Sequence, residues 1–278
     1  MLLSLLKSLA RGRGRGDPAP AADNAVQRME RLKAAHASAP TAAHADILFR
    51  DMRIGGHGLN DLVERCVAES RVVTPPLKAL HRPLASYFLA RYFLHALDLG
   101  GAQAECGVMK GTSALLLCRA AQTRDEGYRG AGLHLVDSFQ GLSEPTPEDR
   151  FHVSGGDGSG QSGQAMPGGW LAAPIKSARA TLKEFPQVQY HKGWVPKVFA
   201  GLPQTGWSFV HLDLDLYAPT LASLEYFYPR LVSGGVIVCD DYGAPLFPGA
   251  HRAWDAYCEE HALPYVVLDT GQSALLKT

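Results

Sequence analysis

Long hydrophobic runs are missing from this sequence of 278 residues. No stretch approaches the roughly 18 apolar residues that a membrane-crossing helix needs, so no span is expected. Charge of one sign is missing as well. Lys plus Arg is 27 and Asp plus Glu is 27, a formal net charge of zero, which excludes the overall basic footprint of a general nucleic-acid binder. Paired cysteines are missing too: Cys66, Cys106, Cys118, Cys239 and Cys258 form an odd set with no C-x-x-C among them. That excludes a disulfide framework and a cysteine zinc site, and fits a reducing, cytoplasmic setting. Wholesale disorder is excluded by ordinary globular usage, with 46 % hydrophobic and 19 % charged residues.

What is present divides into three zones. Residues 1–44 open with a short apolar stretch, then Arg11-Gly-Arg-Gly-Arg-Gly16 and a Pro/Ala-rich run. A secretory leader carries its charges ahead of the apolar segment, the reverse of this order. The zone is expected to be a disordered tail, since Gly, Pro and Ala offer little to bury. Residues 45–99 read as a small helical cap. Leu62, Val63, Cys66 and Val67 have helical spacing, Pro75-Pro76 interrupts, and 84–99 is apolar with a period near 3.6. Residues 100–278 alternate strand and helix. Strands are expected over 102–106, 133–136, 188–191, 209–214 and 236–239, and helices over 112–122, 171–184, 220–231 and 250–260. Such alternation predicts an α/β fold, a parallel sheet with helices on both faces. The last apolar runs, 264–268 and 273–276, lie too close together for a crossover and are expected to pair as an antiparallel hairpin.

The first strand hands over to a helix through Glu105-Cys-Gly-Val-Met-Lys-Gly-Thr-Ser113. Gly107 and Gly111 permit a tight turn and close approach of a ligand, and Thr112 or Ser113 can cap the helix. The Gly-x-x-x-Gly spacing is neither the dinucleotide fingerprint nor a Walker loop. Glu105 beside the turn would repel a phosphate and attract an ammonium. The second strand runs into Asp137-Ser-Phe139; a carboxylate there can receive the two hydroxyls of a ribose, and Phe139 can line an adenine slot. The candidate cofactor residues are therefore Glu105, Gly107, Gly111, Thr112, Ser113, Asp137, Ser138 and Phe139.

His211-Leu-Asp-Leu-Asp-Leu-Tyr217 is the most informative stretch. Strand alternation places His211, Asp213 and Asp215 on one face. A central parallel strand is normally apolar on both sides, and an unpartnered carboxylate there costs roughly several kcal/mol. Three resolutions stand open: the strand edge opens into a cleft, a cation compensates the charge, or Arg230 or Arg252 pairs with it. The next strand ends in Asp240-Asp241, adjacent carboxylates that repel unless a cation joins them. If the two strands are neighbours, Asp213, Asp240 and Asp241 converge. Three hard oxygen ligands suit Mg²⁺ better than zinc. His211 reads as a packed histidine supporting such a site rather than as a ligand.

Taken in order, Glu105-Cys-Gly-Val-x-Lys-Gly-x-Ser-Ala, Asp137-Ser-Phe-x-Gly-Leu, Lys192-Gly-Trp, His211-Leu-Asp-Leu-Asp-Leu-Tyr-x-Pro-Thr220, Tyr228-Pro-Arg-Leu-x-x-Gly-Gly235 and Asp240-Asp-Tyr-Gly243 resemble the macrocin O-methyltransferase family. That family includes the mycinamicin and novobiocin sugar O-methyltransferases. The resemblance covers residues 101–243 and, more loosely, the C-terminal end. It implies a class I methyltransferase fold using S-adenosylmethionine and Mg²⁺, with a hydroxylated small molecule as acceptor, a sugar or a natural-product diol. It places Glu105 near the methionine moiety and Asp137 on the ribose. It gives the metal to Asp213, Asp240 and Asp241, and makes Asp215 the general base. A homodimer is common among the proteins it resembles. Two departures, the Gly-rich insert 154–169 and the zone before residue 45, bear on the acceptor rather than the cofactor. Two alternatives are an NAD-type oxidoreductase on a similar sheet and a silent, cofactor-binding partner protein.

Overall fold

Five parallel strands and a terminal hairpin make up the central sheet. The computed structural model describes residues 53–54, 57–70, 76–151 and 163–278. The expected tail and most of the Gly-rich insert lie outside them. The chain begins with the short strands β1 (Arg53–Ile54) and β2 (His57–Gly58), then α1 (Leu59–Ser70) and α2 (Pro76–Ala96). The alternating part follows as β3 (Ala102–Cys106), α3 (Thr112–Gln122), β4 (Leu133–Asp137), α4 (Ile175–Thr181), β5 (Gln189–Lys192), β6 (Trp207–Leu212), α5 (Tyr217–Phe227), β7 (Leu231–Cys239) and α6 (Pro248–Glu260). The hairpin is β8 (Val266–Val267) and β9 (Ser273–Leu276).

The sheet order is β5-β4-β3-β6-β7-β9-β8. Neighbours from β5 to β7 are parallel, while β9 pairs antiparallel with both β7 and β8. From β3 the chain winds outward through β4 and β5, then returns to β6 on the other side. The β3–β6 boundary is thus a topological switch point, and the carboxyl ends of its strands are where open α/β sheets bind their ligands.

Alternate residues of each strand feed two cores, as the period of two requires. Leu133, Leu135, Phe209, Val236 and Val238 pack with Leu62 of α1, Phe93 of α2 and Leu117 of α3. Ala104, Val136, Val210, Leu212 and Ile237 pack with Leu224 and Phe227 of α5 and Trp254 of α6. Each large side chain so buried stabilises the fold by about 1.5–3 kcal/mol. Helices α1 and α2 share the first core with the sheet.

Several boundaries differ from the sequence reading. The zone read as wholly helical also holds the two-residue β1–β2 pair, with Ile54 opposite His57. Helix α4 is shorter than expected, because Pro174 in extended conformation sets its start. Strand β7 begins earlier, at Leu231, with an irregularity in its pairing to β6 where Gly234 adopts φ 79°. Strand β6 stops at Leu212 rather than continuing to 214, so the chain turns away from the sheet between Asp213 and Asp215. Among the described residues no helix is long and apolar enough to cross a membrane.

Candidate active site

The turn after β3 is shaped by backbone proximity. Gly107 has φ 91°, and a Cβ on it would lie 1.8 Å from the carbonyl oxygen of Asp213. The glycine therefore lets one backbone press against another across the switch point. The sequence reading reserved that space for a ligand. Gly111, at φ 81°, is itself the N-cap of α3, and no side chain caps that helix. Thr112, expected as a cap, instead donates its hydroxyl to Ser70 Oγ at 2.7 Å and ties α3 to the end of α1. Ser113 is half-buried in the first turn of α3.

Asp137 stands at the end of β4, one strand from that turn. Its Oδ2 accepts the amides of Val108 and Met109 at 2.7 and 2.8 Å, and its Oδ1 accepts the amide of Phe139 at 2.6 Å. A carboxylate has about four lone-pair positions, so three are spent on fixing the turn and room remains for one further donor. Ser138 closes the next turn, accepting from Gln140 N and donating to Gly141 O. Phe139, at φ 57°, is buried in the first core together with Val108.

Glu105 is buried in β3, and its Oε2 makes no hydrogen bond. His211 of β6, 1 % exposed, lies between two carboxylates, with Nδ1 3.9 Å from Glu105 Oε2 and Nε2 3.8 Å from Asp240 Oδ1. Burial drives the Glu105 carboxyl above its usual range, against the pull of His211. For His211 burial works downward, but Asp240 and Glu105 outweigh it and raise the imidazole to about 10.

The acidic residues are placed by the strand ends. Asp213 N donates to Cys106 O and Asp240 N donates to Leu212 O, both at 2.9 Å, so the ladder runs one residue past β6 and β7. The chain then bends at Asp215, φ 62°, a left-handed conformation that Asp tolerates better than most residues. The amide of Asp215 donates to Asp241 Oδ2 at 3.0 Å. One oxygen each from Asp213, Asp215 and Asp241 lies within 4.8 Å of the others. Asp215 and Asp241 are 6 % and 1 % exposed.

Of the three residues expected as ligands, the structure thus gathers Asp213 and Asp241 and adds Asp215. Asp240 is not in that group: its Oδ1 accepts from Gln272 Nε2 of the hairpin loop at 2.9 Å and lies 3.8 Å from His211 Nε2. What joins Asp213 to Asp215 is the turn beyond β6 and not a shared strand face. The two arginines weighed as partners are engaged elsewhere. Arg230 donates to Tyr226 O and covers the Tyr226 ring, and Arg252 donates to the carbonyls of Glu148 and Arg150. Three carboxylate oxygens this close, two of the residues buried, form a hard all-oxygen donor set of the kind that holds Mg²⁺ or Ca²⁺.

The sequence reading passed over Asp149 and Gln272. Asp149 closes a 3₁₀ turn, Pro147–Asp149, whose Thr146-x-x-Asp149 pattern is a capping box visible in the sequence. No sequence signal marks Gln272, whose partner lies 32 positions away.

Residues 93–273 match the family described as Macrocin-O-methyltransferase (TylF). A curated relative, the 8-demethyl-8-(2,3-dimethoxy-alpha-L-rhamnosyl)-tetracenomycin-C 4'-O-methyltransferase of Streptomyces olivaceus, is 30% identical over 149 residues, covering 50% of this chain and 51% of the relative. The chain thus matches about half the length of that relative. The solved O-methyltransferase NovP superposes with a TM-score of 0.55 at 22% identity, over 72% of this chain and 80% of that one. The calicheamicin methyltransferase CalS11 superposes with a TM-score of 0.56 at 18% identity, over 95% and 98% of the two chains. The sheet, its flanking helices and its terminal hairpin are those of class I methyltransferases.

Proposed function

The chain belongs to the macrocin O-methyltransferase family, and on that premise we propose that it transfers the methyl group of S-adenosylmethionine to a hydroxyl oxygen of a small molecule, beside a bound Mg²⁺. The observation that carries this reading is the meeting of two loops across the switch point. The glycine turn after β3 touches the backbone at Asp213, so a ligand on the turn and a ligand on the acidic cluster are neighbours.

On the cofactor side, the carboxylate of Glu105, buried beside the turn, supplies negative charge toward the amino acid's ammonium group, and Asp137 offers its remaining lone pair to a ribose hydroxyl. Both residues sit on backbone that the turn has already fixed, so binding costs little reorganisation. On the other side Asp213 and Asp241 supply oxygens to the cation. When bound, Mg²⁺ acts as a Lewis acid that lowers the pKa of an acceptor hydroxyl. Asp215, in the same cluster, is the base that takes the hydroxyl proton. The carbon–sulfur bond breaks as the carbon–oxygen bond forms, and the electron pair stays on sulfur, leaving neutral S-adenosylhomocysteine. Asp240, held by Gln272 and facing His211, braces the end of β7.

For the acceptor we favour a sugar hydroxyl. The Streptomyces relative is named for 4'-O-methylation of a rhamnosyl group, and a sugar diol can present two adjacent oxygens to one cation. The oxidoreductase alternative is not favoured, because the family match and the Gly-x-x-x-Gly turn both speak against a dinucleotide. The test is incubation with methyl-labelled S-adenosylmethionine and a panel of glycosides, with Mg²⁺ or with a chelator. Labelled methyl ether formed only with Mg²⁺ is the expected result. Turnover that survives the chelator would remove the cation. A rise in melting temperature with NAD but not S-adenosylhomocysteine would remove the methyl donor.

A further inference from the structure

Asp149 is in none of the motifs that carry the family resemblance and is only 2 % exposed. Its Oδ2 accepts both the amide and the hydroxyl of Thr146, at 2.7 and 3.0 Å. Its Oδ1 reaches across 68 positions to accept the amide of Tyr217 at 2.7 Å, the first residue of α5. Nothing else fits in that space: a Cβ on Gly249 of α6 would lie 1.8 Å from the same oxygen. Arg252 of α6 donates to the carbonyls on either side of Asp149, those of Glu148 and Arg150. The carboxylate is therefore enclosed by a surface turn and the starts of two helices.

Two residues before Tyr217 stands Asp215, in its left-handed conformation. Its amide is taken by Asp241 Oδ2, and the amide of Tyr217 by Asp149 Oδ1. The bend that puts Asp215 into the acidic cluster is thus bracketed by two carboxylates, one inside the cluster and one outside it. Leu216, between them, packs with Leu142, Phe151, Met166 and Phe247. The stems of the loop that carries the Gly-rich insert are joined by backbone bonds of Leu142 with Trp170 and Gly169, and of Phe151 with Gln164.

We propose that Asp149 is a positioning residue: it fixes the 213–217 turn, and with it the acidic cluster, to the stems of the 142–170 loop. The proposal rests on the reading that the cluster of Asp213, Asp215 and Asp241 takes a divalent cation, on oxygens of Asp213 and Asp241, beside the base Asp215. Asn is the informative replacement. Its single oxygen can accept from Tyr217 or from Thr146, but its amide group then points at the other donor.

The test compares the full-length wild type with Asp149→Asn and Thr146→Val in three measurements: amide hydrogen exchange, Mn²⁺ affinity by calorimetry, and S-adenosylhomocysteine affinity. Asp149→Asn is expected to speed exchange in 213–220 and to weaken Mn²⁺ about tenfold, the scale of one lost hydrogen bond to a charged group. Cofactor affinity should stay within about twofold, since Asp137 and the β3 turn do not touch Asp149. Thr146→Val, which keeps the carboxylate, should shift the same readouts by less, and it carries the test if Asp149→Asn does not fold. Wild-type exchange in 213–220 together with wild-type Mn²⁺ affinity in a folded Asp149→Asn would overturn the proposal. So would equal losses at both ligands with faster exchange throughout. If the wild type itself takes up no Mn²⁺, the cation reading fails, and the exchange in 213–220 still decides whether Asp149 positions the turn.

Discussion

On the β3–β4 side of the switch point, the carboxylate of Asp137 is surrounded by donors: three backbone amides point at it. On the β6–β7 side, Asp213, Asp215 and Asp241 bring oxygens within 4.8 Å of one another, and two of these residues are buried. The first side is finished by the chain itself. The second gathers like charge, and a divalent cation bound there would offset the repulsion among these carboxylates. The proposed function thus sets a preorganised carboxylate, proposed to receive the nucleoside, beside an acidic cluster proposed to receive a divalent cation. The two sides should therefore answer differently to the same kind of substitution.

The largest difference is expected from Asp213→Asn. Losing cation-assisted activation worth several kcal/mol should slow methyl transfer roughly a thousandfold. Mg²⁺ should raise the melting temperature of the wild type and not that of the variant, because a ligand oxygen to the cation has lost its charge. A variant that Mg²⁺ stabilises as much as the wild type would show that Asp213 does not hold the cation. S-adenosylhomocysteine affinity, read by calorimetry, should not move.

Gly107→Ala tests the seam between the two sides. The new Cβ would meet Asp213 O at 1.8 Å in a backbone region that suits glycine, so urea denaturation should show a loss of about 3 kcal/mol or more. Gly111→Ala has a similar φ, but its Cβ would come no closer than 3.3 Å to a neighbour, the end of Leu182, and a loss of about 1 kcal/mol is expected. Equal losses would mean that backbone conformation, not the closeness of the two loops, sets the cost. On the β3–β4 side, Asp137→Asn offers one oxygen where three amides need two. It should weaken S-adenosylhomocysteine by about tenfold, through roughly 1–3 kcal/mol of unsatisfied donors, with Mn²⁺ affinity unchanged.

The sequence made the layered fold readable, and the aspartates of the candidate site conspicuous, because both rest on local pattern. Alternating apolar segments gave the parallel sheet, and the gap between 268 and 273 was too short for anything but a hairpin. The aspartates stood out because carboxylates at the ends of central strands contradict the apolar rule for such strands. What stayed hidden depends on contacts distant in sequence. That Asp240 turns to Gln272, while Asp215 joins Asp213 and Asp241, follows from a backbone bend at Asp215 that no residue pattern announces. The glycine at 107 was legible as a glycine that matters, but its neighbour is a carbonyl 106 positions away. Asp149 was legible only as a cap, since Tyr217 lies on another element.

Histidines carry the same contrast into pH. On the β3–β4 side, His134 of β4 is buried with its Nδ1 2.9 Å from His191 Nε2 of β5. Burial, then the charge of His191, lowers His134 to about 4, and burial lowers His191. An unfolded histidine titrates near 6.5, so the unfolded chain takes up a proton that the folded protein refuses. Stability from this side is complete above about pH 6.5 and lost as the pH falls toward about 4, on the order of 1 kcal/mol per pH unit. On the acidic side His211 has the opposite sign. Its folded value, raised to about 10, means that its contribution is complete below about 6.5 and lost as the pH rises through 10. Urea denaturation across this range should give a stability maximum with two declining limbs. His134→Gln should flatten the acid limb alone and His211→Gln the alkaline limb alone. If either variant flattened both limbs, the two histidines would be reporting one coupled network through β3, and the division of the site into a finished half and a charged half would not hold.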